Sequence, residues 1–165
     1  MILMGSQSDA PIMQGAFDVL KELGVSVEMT VASAHRSPER VQRLIGEAGA
    51  RGVAVFIVGA GAAAHLAGVV AAHVTRPVIG VPIDSSALSG LDALLSTVQM
   101  PPGVPVATVS IGKPGATNAG VLAAQILALS DKGIADRLQK YKRGLAEQVE
   151  NAAQGLRTKD QGPRT

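Results

Sequence analysis

Five short runs of β-branched and apolar residues recur along this chain, at 2–4, 25–31, 53–58, 78–81 and 104–109. A turn of small residues follows most of them, and past the turn comes a stretch with helical periodicity. That alternation constrains the fold more than any other feature. Strands joined by helical crossovers run parallel, and a parallel sheet has to be covered by helices on both faces.

The expected architecture is an α/β, three-layer αβα sandwich with a central parallel sheet of about five strands. It is flavodoxin-like, with a long C-terminal helix added. Helices are expected at 10–23, 38–50, 62–73, 90–98, 117–129 and 134–153. The first sets Ile12, Ala16, Leu20 and Leu23 on one face and stops at Gly24. The second sets Val41, Leu44, Ile45 and Ala48 together, and Ser37 with Pro38 forms its capping start. The last repeats Ile134, Leu138, Tyr141, Leu145 and Val149. Residues 1–153 read as a single domain and residues 154–165 as a loose polar tail.

Charge is thin and unevenly spread. Between Gly52 and Gly112 only Arg76, Asp84 and Asp92 are charged, so this third lies in a core or against other copies of the chain. Net charge is +2, with 8 Lys/Arg against 9 Asp/Glu in residues 1–135 and 7 against 4 beyond them. The basic excess therefore sits at the C-terminal end and offers no face to nucleic acid, and aromatic side chains for base stacking are scarce. The absence of cysteine excludes disulfides and thiolate metal sites and fits a reducing cytoplasm. No signal peptide is evident. Residues 52–75 lack charge but for their four Gly and two His read as strand, turn and helix rather than a membrane span.

In open parallel sheets, ligands bind outside the carboxyl ends of the strands, where the strand order switches. That rule selects the turns GSQSD (5–9), ASAHRSP (32–38) and GAGAAAH (59–65). Gly5, Ser6 and Ser8, just ahead of a helix, suit an anion, since free N–H groups and the helix dipole both favour one. Asp9 suits sugar hydroxyls, and Ser8 or Asp9 equally suits a plain helix cap. Arg36 suits bidentate phosphate binding. An imidazole, whose unperturbed pKa is about 6.5, is the side chain suited to proton transfer at neutral pH, and His35 supplies one here.

The run from Gly59 to Ala64 nearly matches a dinucleotide fingerprint, but it follows the third strand and lacks a ribose-binding acid at the right distance. "IGKPGATN" fails as a phosphate loop because Pro114 follows Lys113. No aromatic lies near the three turns to stack on a flavin. His65 and His73, eight apart without an acidic neighbour, read as helix or interface histidines rather than metal ligands.

The blocks "MGSQSD", "SAHRSPERV", "GAGAAAHL", "SALSGLDALLSTVQMPPGVPVATVSIG" and "NAGVLAAQILAL" together resemble the class I N5-carboxyaminoimidazole ribonucleotide mutases of bacterial purine synthesis. The likeness runs from Leu3 to about Tyr141. It implies that Ser6, Ser8 and Arg36 hold a 5′-phosphate and that Asp9 binds ribose hydroxyls. His35 is implied as the general acid/base, with Ser33 near the carboxylate. The turn carrying Gly59, Gly61, Ala62, Ala63, His65 and Leu66 is implied to shape the pocket for the base and for released CO2. The resemblance further implies a small-molecule ribonucleotide as the partner, no cofactor, no metal, and a cytoplasmic homo-octamer.

Ala62 stands where these mutases usually have a third Gly, and Ala67 where Pro is usual. Loss of easy access to positive φ at Ala62 is expected to alter this turn. Two alternatives remain at this point: a class II carboxylase taking CO2 from solution, and a non-catalytic nucleotide-binding regulatory module.

Overall fold

In a computed structural model that describes residues 1–159, β1 (Ile2–Met4), β2 (Met29–Val31), β3 (Phe56–Gly61), β4 (Val78–Ile83) and β5 (Ala107–Thr108) form one sheet. Every pairing is parallel, and the order is β2-β1-β3-β4-β5. The helices are α1 (Ala10–Glu22), α2 (Pro38–Ala50), α3 (Leu66–His73), α4 (Leu91–Val98), α5 (Gly112–Ala128) and α6 (Lys132–Lys159).

The period of two along each strand sorts the apolar side chains between two cores. Ile2, Met4, Ile57, Ile79 and Val81 pack with Met13, Ala16 and Leu20 of α1 and Ala119 and Ala123 of α5. Leu3, Phe56, Val58 and Val78 pack on the opposite face with Val41 and Ile45 of α2, Val70 of α3 and Ala93 of α4. Side chains buried this fully contribute about 1.5–3 kcal/mol each, which fixes the register, since a slip of one residue would exchange the faces. Gly120 lets α5 lie close on α1, because a Cβ there would meet the Ala16 carbonyl oxygen at 2.9 Å.

Several boundaries move from the sequence expectation. β3 starts at Phe56 instead of 53, because the Val53 amide donates to the Ala48 carbonyl and closes off α2. It also runs on through Gly59–Gly61, which pair with Val81–Ile83. Glycine commonly weakens a strand, but here Met13 fills the space beside Gly59 and Ser85 that beside Gly61. α3 accordingly starts at Leu66 rather than 62. α5 starts at Gly112 rather than 117, with Pro114 in its first turn, where proline is tolerated.

The expected loose tail is corrected over part of its length. Residues 154–159 continue α6, since Glu, Gln, Ala, Leu, Arg and Lys between 146 and 159 are good helix formers whatever their polarity. Residues 160–165 lie outside the described residues. Among the described residues no helix is long and apolar enough to cross a membrane.

The charge-poor third forms β3, α3, β4, α4 and β5, and β4 is buried along its whole length. It does not bury itself entirely: Leu88, Leu91, Leu95 and Val98 are each at least 45% exposed.

Candidate functional site

The strand order reverses between β1 and β3, so the chain leaves their carboxyl ends in opposite directions and opens a crevice there. A cavity of about 300 Å³ occupies it. The turns after β1, β2 and β3 all reach its wall, as does the turn after β4.

After β1, Gly5 passes close to β3, its amide donating to the Gly59 carbonyl at 3.0 Å. Gln7–Asp9 then forms a single 3₁₀ turn capped by Ser6 rather than by Ser8 or Asp9. It is a reciprocal cap: the Ser6 amide donates to Asp9 Oδ2 at 2.9 Å, and the Ser8 amide donates to Ser6 Oγ at 3.4 Å. The Ser8 hydroxyl donates to Ser6 Oγ at 2.9 Å. Asp9 is only 4% exposed. Burial pushes its carboxyl above the usual range, and the Ser6 amide, the Ser8 hydroxyl and the Arg36 charge partly offset that.

After β2, the chain folds into a tight turn of its own. The Arg36 amide donates to Ser33 Oγ at 3.2 Å, and the Ser33 amide donates to Ser37 Oγ at 3.2 Å. The capping bond expected from the Ser37 side chain is absent: its oxygen is committed to Ser33, although Ser37 does occupy the residue before α2. Arg36 reaches across to the β1 turn, where Nη2 donates to the Gly5 carbonyl at 3.2 Å. The two turns that the sequence marks for an anion are thereby tied together.

After β3, Ala62 adopts φ of +51°, in the left-handed region. The positive φ that alanine reaches less easily is therefore present at Ala62. Alanine takes the conformation that glycine would take more easily, at a cost of about 1 kcal/mol. The turn carries His65 to the N-terminus of α3, where its Nδ1 lies 2.9 Å from His35 Nε2. The rings meet edge to face, with centroids 5.0 Å apart and planes at 86°.

Of the sequence candidates, Ser6, Ser8, Asp9, Ser33, His35, Arg36, Gly61, Ala63 and Leu66 line this cavity. Gly59 and Ala62 do not. A Cβ on Gly59 would collide with the Met13 sulfur, so that glycine serves the packing of α1. His65 enters through His35, a pairing that sequence spacing did not reveal. His73, at the far end of α3, bonds through Nδ1 to the Val69 carbonyl at 2.8 Å and takes no part. Gly5, grouped with the anion-binding turn from sequence, lines the cavity as well. Sequence reasoning missed Ala34 and Ala60, which are small and chemically silent, and Ser85, whose only signal is its place after a strand.

A larger hollow of about 450 Å³ lies at the opposite ends of the strands, near Met1, Leu20, Val53 and Ala123. Its two charged side chains, Glu28 and Arg51, bond to each other at 2.8 Å, and it contains no imidazole. Volume alone therefore does not identify the site; converging polar groups do.

Fold and site together define a doubly wound α/β protein with hydroxyl, carboxyl, guanidinium and imidazole groups gathered at its switch point. The family profile described as AIR carboxylase matches residues 1–148, and the chain belongs to that family. The N5-carboxyaminoimidazole ribonucleotide mutase of Bacillus subtilis (strain 168) is 53% identical over 148 residues, covering 90% of this chain and 91% of its own length. The protein of the same name from Thermotoga maritima is 50% identical over 155 residues, covering 94% and 90%. A crystal structure of Treponema denticola PurE superposes with a TM-score of 0.83 at 31% identity, covering 94% of this chain and 96% of that one.

Proposed function

We infer that the chain is an isomerase converting N5-carboxyaminoimidazole ribonucleotide to 4-carboxy-5-aminoimidazole ribonucleotide in purine biosynthesis, the activity for which its relatives are named. The observation that supports this most is the gathering of His35, Arg36, Ser6, Ser8 and Asp9 on one cavity at the switch point. Under this reading Ser6, Ser8 and Arg36 bind the 5′-phosphate and Asp9 accepts from ribose hydroxyls. Ser33 and the Gly61–Leu66 turn border the base.

His35 moves the protons. The bond between N5 and the carboxyl carbon breaks, its electron pair returning to nitrogen, which takes a proton from His35. Neutral CO2 is released beside the ring. The electron-rich C4 attacks it, forming the new carbon–carbon bond, and C4 then carries both hydrogen and carboxylate. His35 removes that hydrogen and restores aromaticity, ending in the protonation state in which it began. No net oxidation occurs, so the reaction asks for no redox group. The protein's further contribution is to hold CO2 next to C4. Small side chains at Ala60 and Ala63 on the cavity wall leave room for a linear apolar gas.

The assembly proposed is a homo-octamer in the cytoplasm. The apolar side chains left exposed on and before α4 support association with other copies.

The test is the origin of the carboxylate. Unlabelled carbamate substrate is supplied in buffer containing ¹³C-bicarbonate, and early product is weighed by mass spectrometry. Unlabelled product is expected, because a site that holds CO2 against C4 lets it be recaptured faster than it escapes. Label at the bicarbonate's own enrichment from the first turnover would identify a carboxylase, and absence of product a binding module.

A further inference from the structure

We propose that Ser85 is a substrate-binding residue that donates a hydrogen bond to the carboxylate on the imidazole, a role that rests on the ribonucleotide reading of the cavity. Ser85 lies two residues past the end of β4 and lines the cavity beside Gly61. Gly61 is paired with Ile83, the last residue of β4, and its missing side chain leaves the notch in which the Ser85 hydroxyl sits. A methyl group on Gly61 would overlap Ser85 Oγ.

The other hydroxyls on the cavity wall each make at least one hydrogen bond within the turns after β1 and β2. Ser6 and Ser8 bond to each other, and Ser33 accepts from the Arg36 amide. Among the described residues the Ser85 hydroxyl has no such partner. It is an exposed hydroxyl on the cavity wall, held by neither of the turns assigned to the phosphate.

Its position indicates which part of the ligand it meets. The phosphate groups of the reading lie at the turns after β1 and β2, whereas Ser85 follows β4, two strands further along the sheet than β1. Adjacent strands are about 4.8 Å apart, so roughly 10 Å separates the two ends, and a nucleotide anchored at β1 presents its base toward β4. That base carries a carboxylate on N5 before the reaction and on C4 after it.

The guanidinium of Arg36 is at the other end of the cavity, bonded to Gly5. A neutral donor suits a group that must leave as CO2. A cation would favour the carboxylate over the uncharged gas and raise the barrier to releasing it, whereas a hydroxyl orients the carboxylate and lets it go.

Calorimetry on the intact assembly tests this with two ligands, 5-aminoimidazole ribonucleotide and its 4-carboxy derivative. Ser85→Ala should weaken the carboxylated ligand roughly tenfold or more, as expected for a hydrogen bond to a charged group, and leave the uncarboxylated one unchanged. Ser85→Thr, which keeps the hydroxyl, should recover most of the loss. Equal weakening of both ligands, or of neither, would overturn the role. Arg36→Ala separates the underlying reading: it should weaken both ligands, and if it weakens neither, the ribonucleotide does not lie here at all.

Discussion

His35 and His65, 30 residues apart in sequence, meet through Nε2 and Nδ1 at 2.9 Å across the mouth of the crevice. A neutral pair of rings can share one proton along this contact, so the proton on one nitrogen sets the tautomer available on the other ring. The contact thus fixes which His35 nitrogen is free for a ligand.

His35→Asn should lower turnover by a factor of roughly 10² or more while ribonucleotide binding is retained. His65→Leu should cost less, about tenfold, since it removes a hydrogen bond and not the proton carrier. His65→Gln, which can still accept or donate, should recover part of that. Steady-state rates together with equilibrium binding check the order. A His35→Asn enzyme with near-parental turnover would remove it from the chemistry.

Arg36→Ala should weaken the ribonucleotide far more than the dephosphorylated riboside. The side chain also joins the β1 and β2 turns through the Gly5 carbonyl, so some loss of order in both turns would accompany the change. Competition binding with the two ligands measures the difference. Equal loss for both would mean that Arg36 serves the turns and not the phosphate.

Asp9 makes a prediction about pH. Its carboxyl titrates above the ordinary range in the fold, burial being the main cause. Below the unfolded-state value, about 3.9, both states are protonated and the residue is neutral to stability. As pH rises, the unfolded chain ionises first, so stability falls until the folded carboxyl ionises too, and the loss then persists. Asp9→Asn escapes that loss while keeping an oxygen for the Ser6 amide. Relative to the parent, its Tm should be higher at about pH 7 than at about pH 3, even as ribose recognition suffers. A relative Tm that moves the other way would show the ionised Asp9 to be stabilising.

The exposed leucines on α4 should hold copies of the chain together. Leu91→Asp or Leu95→Asp should shift the sedimentation profile toward smaller species, while the unmodified chain sediments as an assembly at micromolar concentration. A parent that is monomeric there would show that this apolar face has another use.

Much of this protein is local, and that part was legible without coordinates. Alternating apolar runs and helical periods specify strand and helix by residue spacing. The parallel sheet follows, because helical crossovers leave no other pairing. The same rule brings the turns at 5–9, 32–38 and 59–65 to one end, and His35 and Arg36 stand out there by their chemistry alone.

Features that depend on neighbours could not be read in this way. Gly59–Gly61 looks like a turn in sequence and is a strand in the fold, because β4 supplies a pairing partner that a linear reading does not contain. Ala62 adopts a left-handed conformation that its side chain disfavours, which local propensity does not announce. Ser37 looks like a helix cap, but the fold gives its oxygen to Ser33. Ser85 and the contact between His35 and His65 depend on how turns from separate strands converge. Only the packed sheet sets those distances: sequence spacing governs which residues share a face of one element, and side chains on different strands become neighbours only when the strands pair.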